Sequence, residues 1–436
     1  MTIATAAAPP PAPSRLAVAS WVVYDLANTI FSMNIVSLYF SLWVVNVMGG
    51  TDAQYGYATS ISMAVIFLAS PFLGALTDQW PRRMPFLVWS TLVCVALTAL
   101  LGRGGIMTSL VLFAVANIAY QAGLQFYDSL LPEVSTEANR GWIGGIGVGV
   151  GYIGSFIGII AGMLMLHGVE VLPPAVQSGK YAALFVVTAV LFLVFALPCF
   201  LFVRERTRPG RRGGPLSLPR AFRQVLDTVR SGERHPGLVR FLVGRAFYTD
   251  AVNTVIVFMG IYVTNEVGFT AAQASYVLLV AVTFAAAGGF VWGRVVDRIG
   301  PKRTLDLVLF LWMIVFAWAA AVGFFHLPGA VFWPVPALAG IAMGGTWAAD
   351  RPYMLRLTPP AKVGEFYGLY GMVGRFSAVT GPFLWGFVSV TLGLGRPAAL
   401  VTLLGFILAS YVILRPVSDA PRRWSAADLV GPEAGR

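Results

Sequence analysis

Apolar residues run along this chain in long blocks. Read between Gly, Pro and charged punctuation, they give twelve: residues 17–47, 55–77, 84–102, 105–127, 141–166, 179–203, 239–263, 272–296, 304–325, 332–355, 365–391 and 397–415. A helix needs about 20 such residues to cross the hydrocarbon core of a bilayer. The pattern therefore predicts an all-α integral membrane protein with twelve transmembrane helices. The longest polar interruption, 204–238, falls between the sixth and seventh blocks. It divides the chain into a six-helix bundle over 17–203 and a second over 239–415, flanked by a disordered Ala/Pro-rich tail (1–16) and a tail over 416–436. The first block is too long for a signal-peptide core and lacks a cleavage site, so it reads as a retained span.

Composition agrees. Hydrophobic residues make up 57% and charged ones 11%, with a mean hydropathy of +0.76. Soluble domains average roughly 25% charged residues, so the solvent here is lipid. The net charge of +11 would suggest nucleic acid in a soluble protein, but its placement says otherwise. With the N-terminus inside, 25 of the 30 Lys and Arg lie on the cytoplasmic side; Arg103, Lys180 and Arg396 lie outside, and Arg245 and Arg375 fall within spans. That asymmetry predicts a multi-pass protein of the cell inner (plasma) membrane with both termini cytoplasmic. In the central loop, Phe222, Val225, Leu226 and Val229 form an apolar stripe flanked by Arg220, Arg223 and Arg230, which suits a helix lying on the anionic inner leaflet. Cys94 and Cys199 sit in apolar spans, and His167, His235 and His326 have no metal-ligand spacing, so neither a disulfide framework nor a metal site is expected.

The two halves repeat one another. Asp25-Leu-Ala-Asn28-Thr29 in the first block matches Asp250-Ala-Val-Asn253-Thr254 in the seventh. Gly74-Ala-Leu-Thr-Asp78-Gln-Trp-Pro-Arg82-Arg83 after the second matches Gly293-Arg-Val-Val-Asp297-Arg-Ile-Gly-Pro-Lys302-Arg303 after the eighth. Glycines 141, 145, 151 and 158 recur at 364, 368, 374 and 381, a constant offset of 223. Parallel halves of this kind place a substrate path between them near the bilayer midplane. The Gly-x-x-x-Asp-x-x-x-Arg/Lys-Arg pattern resembles the loop motif of the major facilitator superfamily, with Pro81 where that family usually has Gly. Asp78 and Asp297 can face positively polarised helix N-termini, and Arg82, Arg83, Arg140, Lys302 and Arg303 can meet headgroups or carboxylates. These residues, with Gly74, Gly293, Asp128, Asp350 and Arg351, are expected at the gate and loops. Gly149-Val-Gly151-Tyr-Ile-Gly154 matches a dinucleotide fingerprint but lies within an apolar helix with no preceding strand, where Gly-x-x-x-Gly spacing means helix packing. No cofactor is expected.

Further segments narrow the resemblance. Trp21-Val-Val-Tyr24-Asp25-Leu-Ala27-Asn28-Thr29 is similar to the Tyr-Asp-Trp-Ala-Asn-Ser opening of the vacuole-effluxer-like transporters related to the autophagy amino-acid effluxer. Tyr127-Asp128-Ser-Leu-Leu-Pro132-Glu133, Gly147 to Gly154, and Glu365-Phe366-Tyr367-Gly368-Leu369-Tyr370 through Gly381-Pro382 resemble its fourth, fifth and eleventh helices. Leu26 and Thr29 depart from its pattern. The resemblance implies export of amino acids or similar small solutes, by a path that helices 1, 4, 7 and 10 line.

An ionisable group inside a span costs about 2.5–3.5 kcal/mol or more unless it is paired or hydrated. On that ground, and on the resemblance, the candidate lining residues are Asp25, Asn28, Asn34, Tyr120, Gln121, Gln125, Tyr248, Asp250, Asn253, Trp347 and Arg375. Asn117, Tyr120, Gln121 and Gln125 make one face of the fourth helix polar. Two readings of Arg375 stand: a counter-ion to Asp250, or a fork for a substrate carboxylate while Asp250 takes an ammonium or a proton. Expected partners are a small-molecule substrate, the lipid bilayer and protons as coupling ion, with the chain a monomer and no nucleic acid bound. The leading expectation is proton-coupled secondary transport by alternating access. A broad drug/proton antiporter and a non-transporting receptor or scaffold are the alternatives. No nucleophile–base set and no phosphate-binding G-x-x-x-x-G-K-[ST] loop occurs, which argues against an enzyme or an ATP-driven pump.

Overall fold

The computed structural model describes residues 13–205, 219, 237–269, 271–420, 422 and 424. Among them are helices and no strands. Twelve long helices follow in order: α1 (Arg15–Val47), α2 (Asp52–Gln79), α3 (Met84–Leu100), α4 (Ile106–Asp128), α5 (Arg140–Leu166) and α6 (Pro174–Phe202), then α7 (Leu238–Asn265), α8 (Ala271–Ile299), α9 (Pro301–Phe324), α10 (Pro334–Leu357), α11 (Val363–Gly386) and α12 (Gly395–Leu414). The apolar stripe of the central loop, Phe222 to Val229, and most of both tails lie outside the described residues.

Two helices start earlier than their apolar runs because polar residues cap them. Thr51 Oγ1 accepts from the Gln54 N–H (3.2 Å) and Gln54 Oε1 accepts from the Thr51 N–H (3.0 Å), a capping box that starts α2 ahead of its apolar run. Ser14 caps α1 by accepting from the Ala17 N–H. α1 is interrupted by π-helical turns at Ser32–Leu38 and Trp43–Val47. Large apolar side chains such as Leu68 (65%), Trp89 (69%) and Leu164 (75%) stay exposed on the outer faces. Such a surface is unfavourable in water and ordinary in lipid.

In the first half, α1 packs on α5 and α6, and α4 on α2 and α3. In the second, α7 packs on α11 and α12, and α10 on α8 and α9. This is the same arrangement twice: two pseudo-symmetric six-helix bundles, as the resemblance to the major facilitator superfamily implies. The halves meet along α2–α11 and α5–α8.

Glycine makes both crossings close. A Cβ on Gly74 would stand 2.2 Å from the Gly364 carbonyl oxygen, and one on Gly145 would stand 2.4 Å from that of Gly289. The repeat extends to the partners. Gly141 abuts Val296 and Asp297 as Gly364 abuts Thr77 and Asp78, and Gly145 abuts Gly289 as Gly368 abuts Ser70.

The same packing sets the register of α1 against α7. Gly151 faces Asp25 and Thr29, while its repeat Gly374 faces Arg245. Thr29 Oγ1 donates to the Asp25 carbonyl (2.8 Å), and Thr249 Oγ1 donates to that of Arg245 (2.7 Å). The structural counterpart of Asp25 is therefore Arg245, at an offset of 220. The two Asp-x-x-Asn segments, at an offset of 225, do not superpose.

Candidate functional site: a cavity between the halves

Asp78 and Asp297 sit at one end of the bundle, here the motif-bearing end, and clasp it shut. Asp78 accepts from the backbone N–H groups of Gly364 (3.0 Å) and Glu365 (2.8 Å) at the start of α11. Asp297 accepts from Gly141 (2.7 Å) and Trp142 (2.8 Å) at the start of α5. Each carboxylate thus binds a helix N-terminus of the other half, where unpaired N–H groups and the helix dipole favour an anion. Arg83, 2% exposed, pairs with Asp78 (2.8 Å) and donates to the Ser129 carbonyl (3.1 Å). Lys302 pairs with Asp306, its N–H donates to Asp419 (3.1 Å), and Arg140 opens α5 in the electrostatic reach of Asp297. Arg82 and Arg303 are exposed.

Asp78→Asn is expected to destabilise this end by about 2 kcal/mol or more, because the change weakens the contact with a helix terminus and also deprives buried Arg83 of its ion pair. Asp297→Asn is expected to do less, because Asp297 is only half-buried and Asp78 also holds Arg83. Alkylation rates of single cysteines placed around the clasp measure both.

Above the clasp lies a cavity of about 600 Å³. Asp25, Tyr120, Gln121, Gln125 and Asp128 line it from the first half. Arg245, Asn253, Trp347, Arg351 and Arg375 line it from the second. The polar face of α4 divides its work. Gln125 Nε2 donates to the Ser70 carbonyl (2.9 Å) and Asn117 Nδ2 to Ser62 Oγ (2.7 Å), fastening α4 to α2, while Tyr120 and Gln121 look into the cavity.

Four expected lining residues lie elsewhere. Asn34 is fully buried and donates to Thr188 Oγ1 (3.0 Å), holding α1 to α6. Asn28 is 2% exposed with neither amide atom hydrogen-bonded. Tyr248 donates to Asp350. Asp250 accepts from Thr380 Oγ1 (3.1 Å) beside Gly381. Arg375 and Asp250 therefore form no ion pair. The side-chain register puts Asp250 against α11, while Arg375 reaches across to the first half.

Three arginines face the cavity in different states. Arg245 is neutralised: Nε pairs with Asp350 (3.0 Å), Nη1 donates to the Tyr370 carbonyl (2.8 Å), and its Cζ stands 3.5 Å over the Tyr370 ring. Asp350 is fully buried and also accepts from the Tyr248 and Tyr370 hydroxyls. Arg351 bridges the halves. Its Nε lies 3.1 Å from Asp128 and its Nη1 lies 3.5 Å from Asp25, so α10 is tied to both α4 and α1. Arg375 donates to Ser70 Oγ on α2 and to the Gln121 carbonyl on α4 (2.8 Å). It is 7% exposed, and among the described residues no carboxylate pairs with it.

Sequence reasoning missed Thr29, Tyr152, Tyr367 and Gly371, which also line the cavity. Tyr152 adjoins Gly151 in the glycine series, a signal that was there to use. Thr29 and Tyr367 stood within the Asp25–Thr29 and Glu365–Tyr370 segments already singled out, while Gly371 carried no signal beyond its place in α11.

The sequence profile of the vacuole effluxer Atg22-like family matches residues 135–423. The MFS-type transporter YxiO of Bacillus subtilis is 25% identical over 406 residues, covering 90% of this chain and 93% of that protein. Autophagy-related protein 22-1 of Penicillium rubens is 25% identical over 284 residues, which span 59% of this chain and 45% of the longer fungal protein. Among solved structures, the major facilitator transporter FucP in its outward conformation superposes with a TM-score of 0.75 at 14% identity, covering 92% of this chain and 98% of that one. At that identity the likeness shows the fold alone. The matched family and the Bacillus relative are transporters and not enzymes, so this chain is a transporter, and it belongs to the vacuole effluxer Atg22-like family of the major facilitator superfamily.

Proposed function

We propose that the chain carries a small zwitterionic solute, of which amino acids are the simplest class, across the plasma membrane by alternating access. Protons are the coupling ion, export is the direction, and the monomer is the working unit. The observation that carries this reading is the segregation of charge in the cavity. The first half presents two carboxylates, Asp25 and Asp128, and the second presents three guanidinium groups, Arg245, Arg351 and Arg375. Once Arg245 is cancelled by Asp350, an excess negative charge remains at the Asp25–Asp128–Arg351 cluster and an excess positive charge at Arg375. A guanidinium held in a membrane without a carboxylate is costly, and its planar fork suits a carboxylate brought by the solute. The solute's ammonium then meets Asp25 and Asp128.

Asp250, which stands outside the cavity, has no part in this reading. A broad drug exporter is served less well by three fixed guanidinium groups. The distribution of 25 of 30 basic residues supports a cytoplasmic motif-bearing end and cytoplasmic termini.

The test is a thermal-shift screen of purified protein against amino acids, sugars, peptides and lipophilic cations, followed by counterflow in proteoliposomes. A ligand of the folded state raises Tm by mass action. Neutral amino acids are expected to raise Tm and exchange in counterflow. Stabilisation by lipophilic cations or sugars alone would overturn the assignment.

A further inference from the structure

We infer that the Asp25–Asp128 pair is a single cation seat, occupied alternately by the ammonium group of the solute and by a proton, so that the carrier exchanges one for the other. This inference rests on the zwitterion reading and adds the site and the mode of coupling.

Two carboxylates share one guanidinium. Both touch Arg351, and both belong to the half that Arg351 does not. The contacts are ion pairs without well-aligned hydrogen bonds: Asp128 Oδ1 and Arg351 Nη1 both lack a hydrogen-bond partner. The contrast with Asp350 is sharp. That carboxylate is saturated by Arg245, Tyr248 and Tyr370 and does not line the cavity, so it is a fixed charge. Asp25 and Asp128 line the cavity, where water and solute reach them.

A second observation marks the same spot. The Tyr127 hydroxyl, next in sequence to Asp128 and fully buried, has no hydrogen-bond partner. It lies in the electrostatic reach of Asp25, Asp128 and Arg351. A buried hydroxyl left unpaired is rare in folded proteins, and this one stands within electrostatic reach of the pair.

Charge decides what the occupant is. In the electrostatic surroundings of the pair, α4 contributes Tyr120 and Tyr127, and α5 contributes Tyr152. From the other half, α7 contributes Arg245, α10 contributes Asp350 and Arg351, and α11 contributes Tyr367, Tyr370 and Arg375. The Arg245–Asp350 pair cancels, and Arg375 is committed to the solute's carboxylate. Arg351 offsets one of the two remaining negative charges and leaves one. Two neighbouring carboxylates that share one guanidinium disfavour being charged together, whatever stands at Arg375. When the solute is present its ammonium supplies the missing positive charge; when it is absent, a proton from the aqueous phase binds a carboxylate oxygen. No other reactant is needed. Both cations use the same seat, so binding one expels the other, and by linkage each lowers the affinity for its rival. Arg351 acts here as a positioning residue that sets the seat's charge at one.

The test uses the purified, full-length protein in weakly buffered detergent solution with a pH-indicator dye, and a mixture of neutral proteinogenic amino acids as probe. Wild type is expected to release about one proton per amino acid bound, as reciprocal competition for one seat requires. Its apparent Kd is expected to rise as pH falls. Asp25→Asn and Asp128→Asn are expected to bind without releasing protons and to lose the pH dependence. Asp128→Glu and Arg351→Lys, which conserve charge, are expected to retain proton release. Binding with no proton release, with proton uptake, or with a Kd that does not change with pH in wild type overturns the inference. If the mixture neither raises Tm nor exchanges in counterflow, the zwitterion reading itself has failed, which is a distinct result. Should the asparagine variants not fold, the pH dependence of the wild-type Kd decides alone.

Discussion

Replacing Arg375 by glutamine is expected to raise the half-saturation concentration for transport roughly 30- to 150-fold while leaving the fold intact. The estimate follows from the loss of a charge-assisted, bidentate contact, worth about 2–3 kcal/mol at about 1.4 kcal/mol per tenfold. Arg375 is the cavity's guanidinium without a carboxylate partner, so nothing in the protein is left bearing an unpaired opposite charge when it goes. Its hydrogen bonds to Ser70 Oγ and the Gln121 carbonyl are ones that a glutamine amide can partly replace. Arg375→Lys is expected to rescue poorly, because an ammonium offers a point charge where a planar fork is required. Radiolabelled amino-acid counterflow in proteoliposomes measures both variants. Unchanged half-saturation in Arg375→Gln would remove the guanidinium from the binding site.

The second large effect is conformational. Gly74→Val is expected to drive the protein out of the state described here, toward one open at the motif-bearing end. A Cβ at this position meets the Gly364 carbonyl oxygen at 2.2 Å and Glu365 Cα at 3.0 Å. Both obstacles are backbone, so the relief comes from moving one half against the other. Overpacking of this kind costs about 1–3 kcal/mol, enough to shift a two-state equilibrium by roughly 5- to 150-fold. Gly145→Val, at the symmetry-related crossing, is expected to act in the same sense, since its Cβ would meet the Gly289 oxygen and Gly293 Cα. Pulsed EPR distances between spin labels at the exposed positions Arg82 and Arg303 report the separation. A wild-type distance distribution in Gly74→Val would contradict the close crossing.

The two expectations differ in how far the sequence alone revealed them. The helices were legible because lipid demands unbroken apolar runs, and the early starts of α1 and α2 came from the polar caps Ser14 and Thr51 that hydropathy ignores. Gly74, Asp78, Gly293 and Asp297 were legible because their spacing occurs twice. Within the cavity, Asp25, Gln121 and Arg375 stood out because polar groups are expensive in spans. What stayed hidden was register. Asp25-x-x-Asn28 and Asp250-x-x-Asn253 look like repeats, but glycine contacts from α5 and α11 set the alignment and place Arg245 opposite the expectation. Five residues on a helix is about one and a half turns, which is enough to turn Asp250 out of the cavity. Asp128 and Arg351 were expected at the gate. Only the approach of α10 to α1 and α4 shows that the gate forms part of the cavity wall.

The partition of charge between the two halves has a consequence for how the molecule assembles. Acidic residues on one inner face and basic residues on the other make the halves complementary, whereas two copies of either half would set like charges against each other across the cavity. The duplicated bundles share a shape but not a polarity. Correct pairing is thereby specified twice, once by attraction to the proper mate and once by repulsion of the twin. A gene duplication that kept the same residues on both inner faces would have lacked that instruction.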